Sequence, residues 1–282
     1  MKWVVVILTL FIVVLSITLR SERQMELSFQ NQNTDLEKYG VCIFSDTLDS
    51  ETIRDLLVDV ENSEYKRVKN KMVNNQKLRA HVRDTLGDGY DFQDYIWVIK
   101  KSSVHTCHRD NNGDFFNKGQ KHPSYTVLVY LEDMHKCLSV IPESHLKKGS
   151  HGINIINNLQ NVQCKRGDVI IFNANLIHVG TILEKEDNVR IQMKLTHKDD
   201  LNVLGYYEDF NKVGNRQNPV KKPVRRFQRN LSCMFPIVSD WTQDENIRTA
   251  RGSKESQIGL GQKIFSTIFY GDPNFYDLPD AN

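Results

Sequence analysis

The sequence predicts a mainly β protein with flanking helices, its core a double-stranded β-helix of the jelly-roll, cupin-like kind. Three observations carry that prediction. Near the start, Ile53, Leu56, Leu57 and Val60 form the i, i+3, i+4, i+7 stripe of a helix that faces a core. From about residue 93 the pattern changes to short runs rich in β-branched and aromatic residues, the composition of strands. Turn chemistry such as Arg166-Gly167-Asp168 separates those runs. Leading helices followed by many short strands fit two packed antiparallel sheets closed as a barrel of jelly-roll type.

At the amino terminus, Trp3 to Leu19 carries no charge and lies between Lys2 and Arg20. At about 1.5 Å per residue it makes roughly 25 Å of helix, near the lower limit for a bilayer span. Residues 1–23 therefore read as an uncleaved transmembrane signal anchor. A cleaved signal peptide is the rival reading, against which stand the length of the run and the lack of a small-x-small site. Basic residues nearly balance across the segment, so orientation is weakly specified. If the remainder is translocated, Asn230-Leu231-Ser232 is a usable glycosylation sequon.

Ser21 to Asn33 reads as a polar tether. A short helix over Asp35–Tyr39 is expected, capped by Thr34 and stopped by Gly40. Val41–Phe44 reads as a strand, and Ser50 as the cap of the helix that follows. The strands expected after that are Tyr95–Ile99, Tyr125–Leu131, Cys137–Ile141, Val169–Phe172 and Val189–Leu195. The domains read as one main unit over 24–200, with a helical lead-in at 34–62 and a jelly roll over about 93–197. A C-terminal extension, 201–282, is of unassigned role.

The 282 residues include 37 basic and 35 acidic ones, a balance that argues against nucleic acid as a partner. Within the extension, Lys221, Lys222, Arg225, Arg226 and Arg229 form a basic cluster. It reads first as a solvated face, then as a surface for an anionic substrate or lipid, and last as a nucleic-acid contact. The five cysteines, Cys42, Cys107, Cys137, Cys164 and Cys233, form no Cys-x-x-Cys pair. They are expected as free, buried thiols.

The chemistry-bearing residues are His108 and Asp110 in His108-Arg109-Asp110, with His178 and Arg190 downstream. In a strand, residues i and i+2 share a face, so His108 and Asp110 converge while Arg109 points away. Two imidazoles and one carboxylate are the facial ligand set for Fe(II), with positions left open for substrates. Arg190, on a strand face shared with Gln192 and Lys194, has the fork that holds a carboxylate by two hydrogen bonds. His105 is an alternative ligand. Ser144 and His145 either line the pocket or stabilise a loop, and Tyr95 and Trp97 either pack the core or touch a cosubstrate. His122, His135, His151 and His197 read as surface or turn histidines. His-Arg-Asp also opens the kinase catalytic loop, but the required Asn is replaced by Phe115, which excludes a kinase. The lack of Gly-x-Ser-x-Gly argues against a serine hydrolase.

Beyond these residues, the chain resembles the phytanoyl-CoA dioxygenase-like branch of the Fe(II)/2-oxoglutarate-dependent oxygenases, from about Asp35 to Thr196. The blocks that carry the resemblance are Tyr39-Gly40-Val41, Asp46-Thr47-Leu48-Asp49-Ser50, His108-x-Asp110 and Tyr130-Leu131-Glu132-Asp133. Cys137-Leu138-Ser139-Val140-Ile141-Pro142-Glu143-Ser144-His145, Gly167-Asp168-Val169-Ile170-Ile171-Phe172, His178, Asn188 and Arg190 continue it. Glu143 stands where the family usually has glycine. The resemblance implies Fe(II) held by His108, Asp110 and His178. It implies 2-oxoglutarate and O2 as cosubstrates, with Arg190 on the distal carboxylate, and hydroxylation coupled to conversion of 2-oxoglutarate to succinate. Related halogenases lack the carboxylate that Asp110 supplies. The alternatives are a prolyl- or lysyl-type protein hydroxylase, which typically binds 2-oxoglutarate through lysine, and a membrane-anchored jelly roll without catalysis.

Overall fold

The computed structural model describes residues 6–13, 28–29, 35–101, 103–146, 152–154, 159–180, 187–204, 210–242 and 259–277. Of the expected anchor, residues 6–13 are helical with exposed side chains; the rest of it, and most of the tether, lie outside the described residues. Among the described residues no helix is long and apolar enough to cross a membrane.

The lead-in holds four helices: α1 (Leu36–Tyr39), α2 (Ser50–Glu61), α3 (Tyr65–Val73) and α4 (Gln76–Leu86). The caps sit one residue away from those expected. Asp35 accepts from Lys38 N, and Asp49 accepts from Thr52 N at 2.7 Å, because the carboxylates of these two residues reach the free first-turn N–H groups. Gly40, at φ 79°, ends α1 in the left-handed region. Helices α3 and α4 extend the lead-in past residue 62, adding apolar stripes of Tyr65, Val68 and Met72, and of Leu78 and Val82.

The strands are β1 (Ser28–Phe29), β2 (Val41–Phe44), β3 (Tyr90–Phe92), β4 (Tyr95–Lys101), β5 (Tyr125–Tyr130), β6 (Met134–Val140), β7 (Gln160–Cys164), β8 (Val169–Asn173), β9 (His178–Gly180), β10 (Asp187–His197) and β11 (Phe210–Gly214). They form a seven-stranded sheet ordered β11-β4-β10-β5-β8-β2, with β3 also on β10, and a four-stranded sheet ordered β1-β7-β6-β9. The mainly β core with flanking helices is as predicted. The expectation of a closed antiparallel barrel is not met: both sheets are mixed. After β10 the chain re-enters at the free edge of β4, so β11 runs parallel to it, and β1 runs parallel to β7.

Period-two alternation sets the layers. On β10, Ile191, Met193 and Leu195 face α2, α3 and α4 with Val127, Val129, Val169 and Ile171. The opposite face of the large sheet, including Leu128, Tyr130, Ile170 and Phe172, packs on the small sheet through Leu138, Val140 and Val162. Arg190, Gln192 and Lys194 are in register with Tyr130, Leu128 and Thr126 on β5 and so share this inner face. The outer face of the small sheet is covered by α5 (Lys222–Met234), through Cys107, Ile141, Leu159, Ile177, Val179 and Cys233. A helical turn over 236–242 and α6 (Leu260–Tyr270) complete this side.

Two expectations about side chains fail here. Cys107 and Cys233 form a disulfide, and only Cys42, Cys137 and Cys164 are free, all buried. Sequence spacing hid the pair because the fold, not local chain order, brings α5 onto residue 107. The basic cluster is only half a solvated face. Lys221, Lys222 and Arg226 are exposed, whereas Arg225 and Arg229 are turned under the helix and buried, with Arg229 donating to Ser139 Oγ at 2.7 Å. Asn230 lies buried inside α5, and Ser232 accepts from Cys107 N and donates to Arg229 O. The sequon is therefore sequestered in the folded chain.

Candidate metal centre

The two histidines meet because their backbones form an antiparallel bridge. His108 N donates to His178 O at 3.0 Å and His178 N to His108 O at 2.9 Å. A residue pair that exchanges both bonds projects its side chains to one side of the sheet. The imidazole centroids are 4.4 Å apart. Residue 110 is anchored next to them by its N–H on Ala174 O at 2.8 Å. Convergence of His108 and Asp110 is thus as expected, although it arises in an isolated bridge and not in a regular strand.

Ligand atoms of His108, Asp110 and His178 all lie within 4.8 Å of one another. Asp110 Oδ1 is 3.7 Å from His178 Nε2, a gap that one ion with bonds of about 2.1 Å spans. Both rings are oriented alike. His108 Nδ1 is 2.8 Å from Thr106 O, and His178 Nδ1 is 2.9 Å from Leu176 O. A carbonyl only accepts, so each Nδ1 carries the proton and each Nε2 presents a lone pair to the shared space. Burial pushes the pKa of His178 down to about 4, and His108 beside it adds to that effect; the ring is neutral, as a ligand must be.

Asp110 is held from behind. Lys194 Nζ donates to its Oδ2 at 2.7 Å and lies 2.9 Å from Thr126 Oγ1, which itself donates to Oδ2. Burial alone pushes this carboxyl up, but Lys194 and the two histidines more than reverse that and hold it well below the usual carboxylate range. One oxygen is thereby fixed, and the other faces His178. The donor set fits a divalent iron-type ion: two imidazoles, one carboxylate, and a fixed orientation at each ring.

Arg190 is buried, donates to Asn188 Oδ1 at 2.9 Å and lies over the Tyr130 ring at 5.9 Å. Lys194, on the same face, is committed to Asp110, so of these two cations it is the one engaged with a metal-ligand candidate. Tyr95 is buried, stacks on Phe210 at 4.5 Å and has Lys194 Nζ 5.5 Å from its ring; it is core and lies beside the site. Trp97 packs in that same cluster.

His105 points away from the triad. Its Nε2 is 2.9 Å from Gln228 Oε1 and its Nδ1 2.9 Å from Asn218 Nδ2, so it is not a ligand. Ser144 Oγ accepts from Ile177 N at 2.8 Å and His145 Nε2 bonds Glu37 O, which makes both loop-stabilising residues. Glu143 adopts φ 65°, so the turn keeps the left-handed backbone that glycine favours. His122 and His197 are stacked at 3.7 Å with Asp199 nearby. Ligand-type atoms of these three residues lie within 4.8 Å of one another, but both histidines are only half-buried and Asp199 is exposed, a setting in keeping with surface histidines. His135 lies on β6, and His151 lies outside the described residues. Thr126, and the disulfide behind His108, escaped sequence reasoning. Only the strand register, which puts Thr126 opposite Lys194, signals the first.

Residues 49–181 match the family model of phytanoyl-CoA dioxygenase (PhyH). That span holds His108, Asp110 and His178 and stops short of Arg190, covering just under half of the chain; over it the phytanoyl-CoA dioxygenase-like resemblance holds. No curated protein matches the sequence. Among solved structures, HygX from Streptomyces hygroscopicus with nickel and 2-oxoglutarate bound is similar at 17% identity and a TM-score of 0.46, covering 58% of this chain and 84% of its own. The 2-oxoglutarate-dependent epimerase SnoN from nogalamycin biosynthesis aligns at 14% identity and 0.47, covering 57% and 80%. AviO1 from Streptomyces viridochromogenes Tue57 aligns at 12% and 0.46, covering 60% and 97%.

Proposed function

We propose that this chain, similar to phytanoyl-CoA dioxygenase over residues 49–181, is an Fe(II)- and 2-oxoglutarate-dependent dioxygenase that hydroxylates its substrate. The observation that carries the reading is the construction of the triad. Both histidines are fixed as Nδ1–H tautomers by backbone carbonyls, and a carboxylate is held beside them by Lys194 and Thr126. A structural salt-bridge cluster has no need of two bare Nε2 atoms facing one point.

Bound at the triad, Fe(II) supplies oxidative chemistry with O2 in which 2-oxoglutarate is decarboxylated to succinate and a substrate C–H is hydroxylated. His108 and His178 donate through Nε2, and Asp110 through the oxygen that Lys194 leaves clear. Asp110 fills the position that a halide takes in related halogenases, which favours hydroxylation. Arg190 receives the distal carboxylate of 2-oxoglutarate; a buried guanidinium on the inner face offers two parallel donors to that group. The commitment of Lys194 to Asp110 weighs against the lysine-binding mode of the prolyl and lysyl hydroxylases. Phe172, whose buried ring is 4.6 Å from His178, excludes water beside that residue.

The catalytic unit spans 24–200 in this reading, and residues 1–23 anchor it to a membrane with the domain on the extracytoplasmic side. The uncharged run between Lys2 and Arg20 supports the anchor, and the Cys107–Cys233 disulfide supports an oxidising compartment. Because Asn230 is buried, topology is best mapped with a sequon introduced in an exposed loop.

The test is succinate formation by the protein lacking residues 1–23, supplied with Fe(II), 2-oxoglutarate and O2. Turnover is expected, and both His178→Ala and Asp110→Ala should abolish it. Unchanged turnover in either variant contradicts the ligand assignment. A non-catalytic jelly roll gives no succinate at all.

A further inference from the structure

The residues that carry the metal ligands have two sides, and the C-terminal extension occupies the outer one. His108 and Asp110 face the inner space. Their neighbours are engaged one after another by residues between 218 and 270. Asn218 donates to Ser103 O at 2.7 Å and to His105 Nδ1 at 2.9 Å, and Gln228 holds the other nitrogen of His105. Tyr270 OH is 2.6 Å from Thr106 Oγ1. Ser232 Oγ accepts from Cys107 N at 2.9 Å, and Cys233 is covalently bonded to Cys107. Arg109, fully buried, pairs with Asp240.

Two of these attachments act directly on ligand geometry. Cys107 precedes His108, and Thr106 provides the carbonyl that fixes the His108 tautomer. Arg109 stands between the two ligands and also donates from Nε to Asn175 O at 3.1 Å. Asn175 belongs to the turn that leads into His178. The Asp240–Arg109 pair therefore ties the segment of the first two ligands to the turn before the third. A charge pair this buried is unforgiving, since loss of one partner leaves the other uncompensated.

We infer that the extension is the outer wall of the metal centre: Asp240, through Arg109, and Cys233, through Cys107, are positioning residues for His108, Asp110 and His178. This rests on the triad being a metal site. Neighbours that orient ligands typically change metal affinity by about ten- to a hundredfold when lost, and the same range applies here.

Co(II) is the probe. Calorimetry gives its affinity for the full chain, and the visible absorption of the loaded protein reports ligand geometry. Asp240→Asn should weaken Co(II) binding at least about tenfold and alter the absorption, with Asp240→Glu recovering part of both. The double variant Cys107→Ser, Cys233→Ser should act in the same direction. If it does not fold, Asp240→Asn, which keeps the side-chain shape, decides alone. Affinity and absorption unchanged in the variants, even with a lowered unfolding midpoint, overturn the inference and leave the extension merely structural. An unaltered protein that binds no Co(II) overturns the triad itself, and this inference with it.

Discussion

Asp110 concentrates the electrostatics of the site, and Lys194 is the residue on which that arrangement turns. Both are buried, 2.7 Å apart. Removing one member of such a pair costs about 3–5 kcal/mol, because the remaining charge is left without water or partner. Lys194→Met should therefore destabilise the metal-free protein by that order, seen as a lowered unfolding midpoint. Added Co(II) should raise the midpoint more in the variant than in the unaltered protein, since the ion supplies the missing positive charge; equal shifts contradict this. Arg190→Ala should weaken 2-oxoglutarate binding much more than metal binding, and calorimetry separates the two. Equal loss of both marks Arg190 as a structural residue. The histidines give a pH dependence with a definite sign. Burial lowers the pKa values of His105 and His178 from 6.5 to about 4 in the folded chain. The unfolded chain then binds more protons between those values, so stability is full above about pH 6.5 and is lost as pH falls toward 4. At pH 4.5 each contributes a loss on the order of 2 kcal/mol in the metal-free protein, readable as a fall in the urea midpoint.

At the level of elements, what could be read from sequence followed from periodicity. The stripe Ile53, Leu56, Leu57, Val60 specified α2, and the β-branched runs specified β4, β5, β8 and β10. Alternation on β10 also placed Arg190, Gln192 and Lys194 on one face. Shorter or more polar strands carried too little pattern: β7, Gln-Asn-Val-Gln-Cys, and β11, Phe-Asn-Lys-Val-Gly, owe their conformation to the sheet edges they join. The two candidate ligand histidines were legible as a set, but the bridge that aligns them depends on pairing across a long sequence separation, which no local window contains. Gly40 illustrates an element end set by packing as well as by backbone. At φ 79°, a Cβ there would lie 2.5 Å from His145 Nδ1 and 2.9 Å from Leu176 Cδ1. Gly40→Ala should destabilise the protein by more than about 1 kcal/mol, measured by urea unfolding, whereas an exposed alanine substitution on α2 should not.

For the whole molecule, four layers stack in order: lead-in helices, large sheet, small sheet, and α5 with the extension. The candidate site lies between the sheets, and its segments at residues 108–110 and 178 are tied to the outer layer. That position explains why composition said little about the extension. Its basic cluster is divided between solvent and interior by the helical turn, and Asp240 has no sequence neighbour that signals its partner Arg109.

The central claim is that the triad and Arg190 together form one Fe(II)/2-oxoglutarate site, and an anaerobic calorimetric titration of 2-oxoglutarate tests it most directly. In the protein lacking residues 1–23 and loaded with Fe(II), one equivalent should bind, with affinity lost on removal of the metal and strongly reduced in Arg190→Ala. Binding of 2-oxoglutarate that is indifferent to both the metal and Arg190, or no binding to the loaded protein, contradicts the account.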